Sequence, residues 1–184
     1  MSDLHLGHAN IIRYCSRPFL PTAVDEMNAV LISNWNATIG PDTRVFYLGD
    51  LRYGKGSKPA DHYREHLAGA ITYILGNHDD APLPGAVKST EFTYNGIRFF
   101  LVHDPADAPP AWDGWVIHGH HHNNDLVRYP FMNFIDRRVN VSAEVVGYSP
   151  VSLEEIVSLI HERRKNGDRS PVLLRHPPHI QVRE

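Results

Sequence analysis

The chain predicts an α/β domain. Short apolar stretches alternate with helical ones in the first half, the second half is strand-rich, and one further amphipathic helix follows. At 184 residues there is room for a single core, so 1–166 reads as one domain and 167–184 as a C-terminal tail or edge segment.

The elements follow in order. A helix is expected over 22–39, with Thr22 and Asp25 spaced as a capping box and Val24, Met27, Leu31 and Trp35 on one face. Gly40-Pro41-Asp42 stops it. Arg44–Leu48 reads as a short strand ending at Gly49-Asp50, followed by a Gly/Lys/Pro loop, a short helix over 59–67, and a second apolar strand over 71–75. The stretch 87–102 reads as a hairpin turning at Asn95-Gly96. Three prolines make 104–114 a loop; Trp115–His118 is a strand cut off by Gly119, and 139–146 a further one. Ser152 and Glu155 form the capping box of a helix over 152–166 with Leu153, Ile156, Val157 and Ile160 facing inward. The tail, with Pro171, Pro177 and Pro178, reads as mobile or laid on an edge.

Composition excludes several classes of function. No apolar run approaches the roughly 20 residues that span a bilayer, and no basic segment precedes an apolar one at the start, so neither a membrane partner nor a secretory signal is expected. A single cysteine, Cys15, permits no internal disulfide and makes the cytoplasm the default, with Cys15 itself a core residue. A formal charge of −3 lacks the basic bias of a protein that binds long nucleic acid, while a nucleotide-sized partner stays open.

The 13 histidines are the outlying figure, and several fall into short clusters at strand ends. These are Asp3-Leu4-His5, Gly49-Asp50, Gly76-Asn77-His78-Asp79, His103 and Gly119-His120-His121-His122. Neutral imidazole and carboxylate are ligands for divalent transition metals. An aspartate just past a buried strand, such as Asp50, can share its oxygens between two ions, and Asn77 adds a neutral amide oxygen. Taken singly, each cluster has an ordinary reading as a turn, a surface pair or a hydrogen-bonded histidine. Together they supply enough ligands for two ions, beyond strand ends where open sheets bind.

In that order the clusters resemble the signature of the calcineurin-like metallophosphoesterases, over residues 3–122. The flanks, 2–19 and 148–156, are similar to the small single-domain branch of bacteria and their phages. The resemblance implies a four-layer αββα sandwich, two mixed sheets face to face with helices outside. It implies that Asp3, His5 and His122 hold one metal, that Asn77, His103 and His120 hold the other, and that Asp50 bridges them, with His121 outside. The expected ions are Mn²⁺, with Fe, Zn, Ni or Co as alternatives. In the family's mechanism a metal-bridging hydroxide attacks phosphorus directly, while His78, oriented by Asp79, serves the departing oxygen.

The resemblance makes the chain a hydrolase of phosphate esters. A phosphodiesterase acting on nucleotides, 2′,3′-cyclic ones included, is the favoured form. A phosphomonoesterase, a metal-dependent nuclease and a catalytically decayed binding module are the alternatives. His8, Asn10, Arg17 and Arg52 are candidate substrate contacts. One departure stands out: the family's pattern has a buried apolar strand leading into Asp3, and here only Met1 and Ser2 precede it. Asp3 and His5 are therefore expected to be weakly anchored unless residues upstream of Met1 complete that strand.

Overall fold

The two apolar segments of the first half pair in parallel. Arg44–Leu48 (β1) and Ala70–Ile74 (β2) align with Val45 opposite Ile71 and Leu48 opposite Ile74. Parallel strands need a long crossover, and here it contains Ala60–Arg64 (α3), shorter than the expected helix. The structure is a computed structural model describing residues 1–79 and 85–176. Two helices precede β1: Ala9–Tyr14 (α1), absent from the sequence reading, and Val24–Thr38 (α2).

Met27, Leu31 and Trp35 form the fully buried stripe of α2. The expected Thr22/Asp25 capping box does not form. The helix starts later, with Ala23 as N-cap and no side-chain cap, which leaves Asp25 and Glu26 in the first turn to complement the helix dipole.

The second sheet has five strands: Ser89–Tyr94 (β3), Ile97–Val102 (β4), Trp115–His118 (β5), Met132–Asn133 (β6) and Arg138–Asn140 (β7). Their order is β3-β4-β5-β7-β6, with parallel pairs inside and antiparallel pairs at both edges. The β3–β4 turn takes positive φ at both Asn95 (48°) and Gly96 (75°), the geometry that matches the twist of a two-residue hairpin. All four residues of β5 are buried, as befits a central parallel strand. Phe92 of β3 stacks on Phe46 of β1, with ring centroids 5.2 Å apart.

The strand expected over 139–146 ends at Asn140. Beyond it the chain stays buried but turns, with Val145 N–H donating to Ser142 O and Tyr148 N–H to Ala143 O. An apolar run alone does not separate a strand from a buried turn. Of the two forms expected for the tail, the described part takes the edge one: Val172 pairs antiparallel with Met132, so the segment lies along edge strand β6. Arg175 fastens it, binding Glu155 at 2.7 and 2.9 Å and the carbonyls of Val146 and Ser149. Glu155 belongs to Leu153–Asn166 (α4), which Ser152 caps as expected and Gly167 ends in the left-handed conformation. The remainder of the predicted tail, 177–184, lies outside the described residues.

The N-terminal stretch joins the two sheets. On one side Leu48 N–H donates to Met1 O, Asp3 N–H to Gly49 O and His5 N–H to Asp50 O, at 2.9–3.0 Å. On the other, Ser2 N–H donates to Val141 O and Ala143 N–H to Ser2 O. The expected weak anchoring of Asp3 and His5 is thereby corrected: they are 0% and 2% exposed, held from both sides by backbone bonds. No helix among the described residues is long and apolar enough to cross a membrane.

Candidate metal centre

Four of the five clusters meet because they follow the C-terminal ends of strands, Asp50 after β1, Asn77 and His78 after β2, His103 after β4, and His120 and His122 after β5, while Asp3 and His5 are brought in by the N-terminal stretch between the sheets. Asp3, His5 and His122 place one ligand atom each within 4.8 Å of one another, and so do Asp3, Asp50 and His103. Asn77 Oδ1 lies 3.0 Å from His103 Nε2 and 2.9 Å from His120 Nδ1, so three donor atoms converge at a second point. Between the two groups sits Asp50, its Oδ2 3.4 Å from His5 Nε2 and 3.5 Å from His103 Nε2. The structure thus brings all seven sequence-predicted ligands together.

Backbone conformation marks the same residues. Asp3, His5, Asp50, His120 and His122 all have φ between 48° and 70°. Each such residue costs about 1–2 kcal/mol relative to right-handed backbone, and such strain persists where the surrounding structure imposes it. Close packing adds a second constraint. A Cβ at Gly49, itself at φ 89°, would stand 2.6 Å from Gly76 Cα and from His103 Nδ1, so only glycine lets these loops approach. A Cβ at Gly76 would in turn collide with the Asp50 carboxylate.

The donor set fits a divalent ion. His5 is 2% exposed, yet neither ring nitrogen has a hydrogen-bond partner among the described residues. Two orphaned buried nitrogens are costly unless something electrophilic occupies the gap. Burial, which outweighs the pull of Asp3, lowers the His5 pKa to about 3 and keeps its imidazole neutral, as a ligand must be. Burial opposes the charge on Asp3, but His122, His103 and His5, with the Ser2 hydroxyl, hold its carboxyl below the usual carboxylate range. Burial, reinforced by Asp3, raises Asp50. His103 donates from Nδ1 to Leu48 O at 2.7 Å, which leaves Nε2 as the inward lone pair.

Around these lie residues the sequence reading missed. Glu144 Oε2 is 3.0 Å from His122 Nδ1, turning Nε2 towards Asp3 Oδ1 at 3.9 Å. Its other oxygen accepts from Arg17 at 2.7–2.8 Å. Burial opposes the Glu144 charge, yet Arg17 and His122 lower its pKa to about 2. Against burial, Asp3, the Cys15 thiol and Glu144 raise His122 to about 11, so an ion held by His122 would have to displace a proton from it, unlike from the already neutral His5. The signal available in the sequence was a single carboxylate inside the apolar run 139–146, the mark of a buried paired charge. Tyr47 is a second such residue: its hydroxyl accepts from Leu4 N–H and donates to Asp50 O.

Arg17 is corrected from substrate contact to internal support. It is 3% exposed, and besides Glu144 it donates to the carbonyls of Leu4 and Asp3. Asp79 is also revised. Its carboxylate accepts from the backbone N–H groups of Asp50 (2.9 Å), Gly76 (2.8 Å) and Leu51 (3.2 Å), and so fixes the two metal-site loops rather than the His78 ring. His78 donates its backbone N–H to Asp50 Oδ1 and sets its ring 5.5 Å from that of His5. His8 packs its ring 5.5 Å from His5 on the same side. Asn10 is exposed on α1, and Arg52 bridges Leu6 in a short parallel pairing. His121 turns away and stacks flat on Tyr129 at 3.5 Å.

Fold and site together define an α/β protein, a five-stranded mixed sheet and a two-stranded parallel sheet with helices, whose strand ends gather buried Asp and His side chains with half-buried His120 and exposed Asn77 at the rim. No protein-family profile matches the chain. The chain belongs to the family of uncharacterized protein MJ1445 of Methanocaldococcus jannaschii, with which it is 46% identical over 164 residues, covering 88% of this chain and 90% of that one. It is 36% identical over 80 residues to the gene 66 protein of Mycobacterium phage L5, covering 42% and 37% of the two chains. A solved structure of a protein of unknown function from Aquifex aeolicus, AQ665, shares the fold at TM-score 0.62 and 22% identity, over 87% of this chain and 97% of that one.

Proposed function

We propose that the protein is a dinuclear metal-dependent phosphoesterase built on the four-layer sandwich of the calcineurin-like enzymes, acting in the cytoplasm as a phosphodiesterase on nucleotides, 2′,3′-cyclic ones included. The observation that carries this reading is the position of Asp50, with one carboxylate oxygen within 3.5 Å of a histidine from each half of the ligand cluster. Asp3, His5 and His122 would hold one ion, Asn77, His103 and His120 the other, and Asp50 both. When bound, the ions, Mn²⁺ first among candidates, supply Lewis acidity towards the phosphoryl oxygens and an activated water.

The chain's own residues do the rest. Asp50 and Asp3 neutralise positive charge with two carboxylates among nitrogen donors, which leaves the centre net cationic and attractive to a phosphate diester. His78 stands outside the ligand set but beside His5, where a ring nitrogen can pass a proton to the departing oxygen. Asp79 keeps Asp50 and the His78 loop in mutual register through the amides it binds. The test is a panel of cyclic diester, linear diester and monoester phosphates with protein loaded with Mn²⁺. Turnover of the diesters supports the reading, faster turnover of monoesters makes the protein a phosphatase, and no turnover with both ions bound overturns it.

A further inference from the structure

The rings beside His78 form a wall that metal binding does not use. Tyr53, just past Asp50, places its ring centroid 4.2 Å from that of His78 and 4.8 Å from that of His8, and is 36% exposed. Tyr14, the last residue of α1, sets its ring 6.3 Å from His8 and is 67% exposed. The wall has a fixed base, because Tyr53 N–H donates to Leu6 O and neighbouring Arg52 pairs with Leu6. At its inner end His8 Nδ1 is buried without a hydrogen-bond partner among the described residues.

Two exposed tyrosines flanking one imidazole leave aromatic faces in water, and a planar ring laid on them would cover those faces. Stacking of this kind accepts any nucleobase, since every base has a π-face. Because the wall adjoins His78, it lies on the side where the organic part of an ester would sit.

We propose that Tyr53, with Tyr14 and His8, forms a subsite for the nucleobase of a nucleotide ester, and that Tyr53 is the residue that favours base-bearing esters over ring-less ones. This rests on the phosphoesterase reading above.

The experiment compares 2′,3′-cyclic AMP with glycerol 1,2-cyclic phosphate, which carries the same cyclic phosphate without a base, in Mn²⁺-loaded wild type, Tyr53→Ala and Tyr53→Phe. The ratio of kcat/KM for the two substrates should fall about tenfold in Tyr53→Ala, the loss expected when one stacking face is removed, and persist in Tyr53→Phe. An unchanged ratio in Tyr53→Ala overturns the subsite. Should wild type cleave neither cyclic ester, the phosphoesterase reading fails, and calorimetry with adenosine 2′-monophosphate and glycerol 2-phosphate then judges the subsite alone. Tighter binding of the adenosine ester that depends on Tyr53 supports it, and equal affinities overturn it.

Discussion

His122 Nδ1 lies 3.0 Å from Glu144 Oε2, and the same carboxylate is held by Arg17 at 2.7 Å. The chain therefore orients the imidazole of one candidate metal ligand through a buried ion pair that reaches back to the carbonyls of Leu4 and Asp3. Outer partners of this type commonly carry about 10–100-fold in metal affinity. Glu144→Gln should keep the fold by circular dichroism and weaken Mn²⁺ binding by about that factor in calorimetry. Glu144→Ala should do more harm, costing about 3–5 kcal/mol in denaturant unfolding, because Arg17 is left buried without its counter-charge. Unaltered Mn²⁺ affinity in the Gln variant would show that His122 needs no such orientation.

Asp50 and His120 stand at the two places where the cluster is least redundant. Asp50 adjoins His5 and His103 alike, and His120 shares Asn77 Oδ1 with His103. Asp50→Ala and His120→Ala should each lose metal and hydrolysis together, with elemental analysis showing less than the two ions per chain expected of wild type. Full turnover by either variant would rule out a dinuclear centre.

Asp79 acts on backbone rather than on a ring. Three N–H groups from two loops point at its carboxylate. Charge-assisted bonds are worth more than neutral ones, and even at the half-buried Asp79 carboxylate the change Asp79→Ala should destabilise the protein by about 2–3 kcal/mol in urea unfolding. Asp79→Asn, able to accept on one side only, should fall between. A variant as stable as wild type would mean that the loops hold Asp50 without it.

What could be read from residues alone divides along physical lines. The α2 stripe of Met27, Leu31 and Trp35, the Asn95-Gly96 turn and the Ser152 cap each depend on a few neighbours in sequence, and each is present in the structure. The convergence of the candidate ligands was legible because loop-borne motifs bring together residues whose chemistry is distinctive. For Glu144 the apolar run around it marks a buried charge, but its pairing with Arg17 spans 127 positions, and no local pattern names that partner. The same holds for Asp79, whose neighbours in sequence suggest a partnership with His78 and whose bonds run instead to Asp50, Leu51 and Gly76. The six-residue α1 was too short to show a helical period, and the edge pairing of Val172 with Met132 leaves no alternation to detect.

Left-handed backbone at five candidate ligands means that part of the folding energy is held as strain around the cluster. Ligand binding to the folded state alone raises stability with the logarithm of its concentration over Kd, about 2.7 kcal/mol at a hundredfold excess. Removing metal with a chelator should therefore lower Tm by roughly 5–10 °C for a chain of this size, and Mn²⁺ should restore it. Mg²⁺ prefers oxygen ligands and should restore much less, given four histidines in the cluster. Equal recovery with Mg²⁺ would contradict a nitrogen-rich site.

His78 separates metal binding from chemistry. Its link to the ligand set is the backbone N–H that donates to Asp50 Oδ1 at 2.9 Å, a bond that survives truncation of the side chain. His78→Ala should therefore keep both ions in elemental analysis. Its rate should fall about 10²–10⁴-fold for esters with poor leaving groups, where a proton must reach the departing oxygen, and far less for p-nitrophenyl esters, whose leaving group departs without one. The comparison is kcat across leaving groups of graded pKa. A steeper dependence in the variant than in wild type identifies proton donation, whereas parallel lines would leave His78 a role in binding alone.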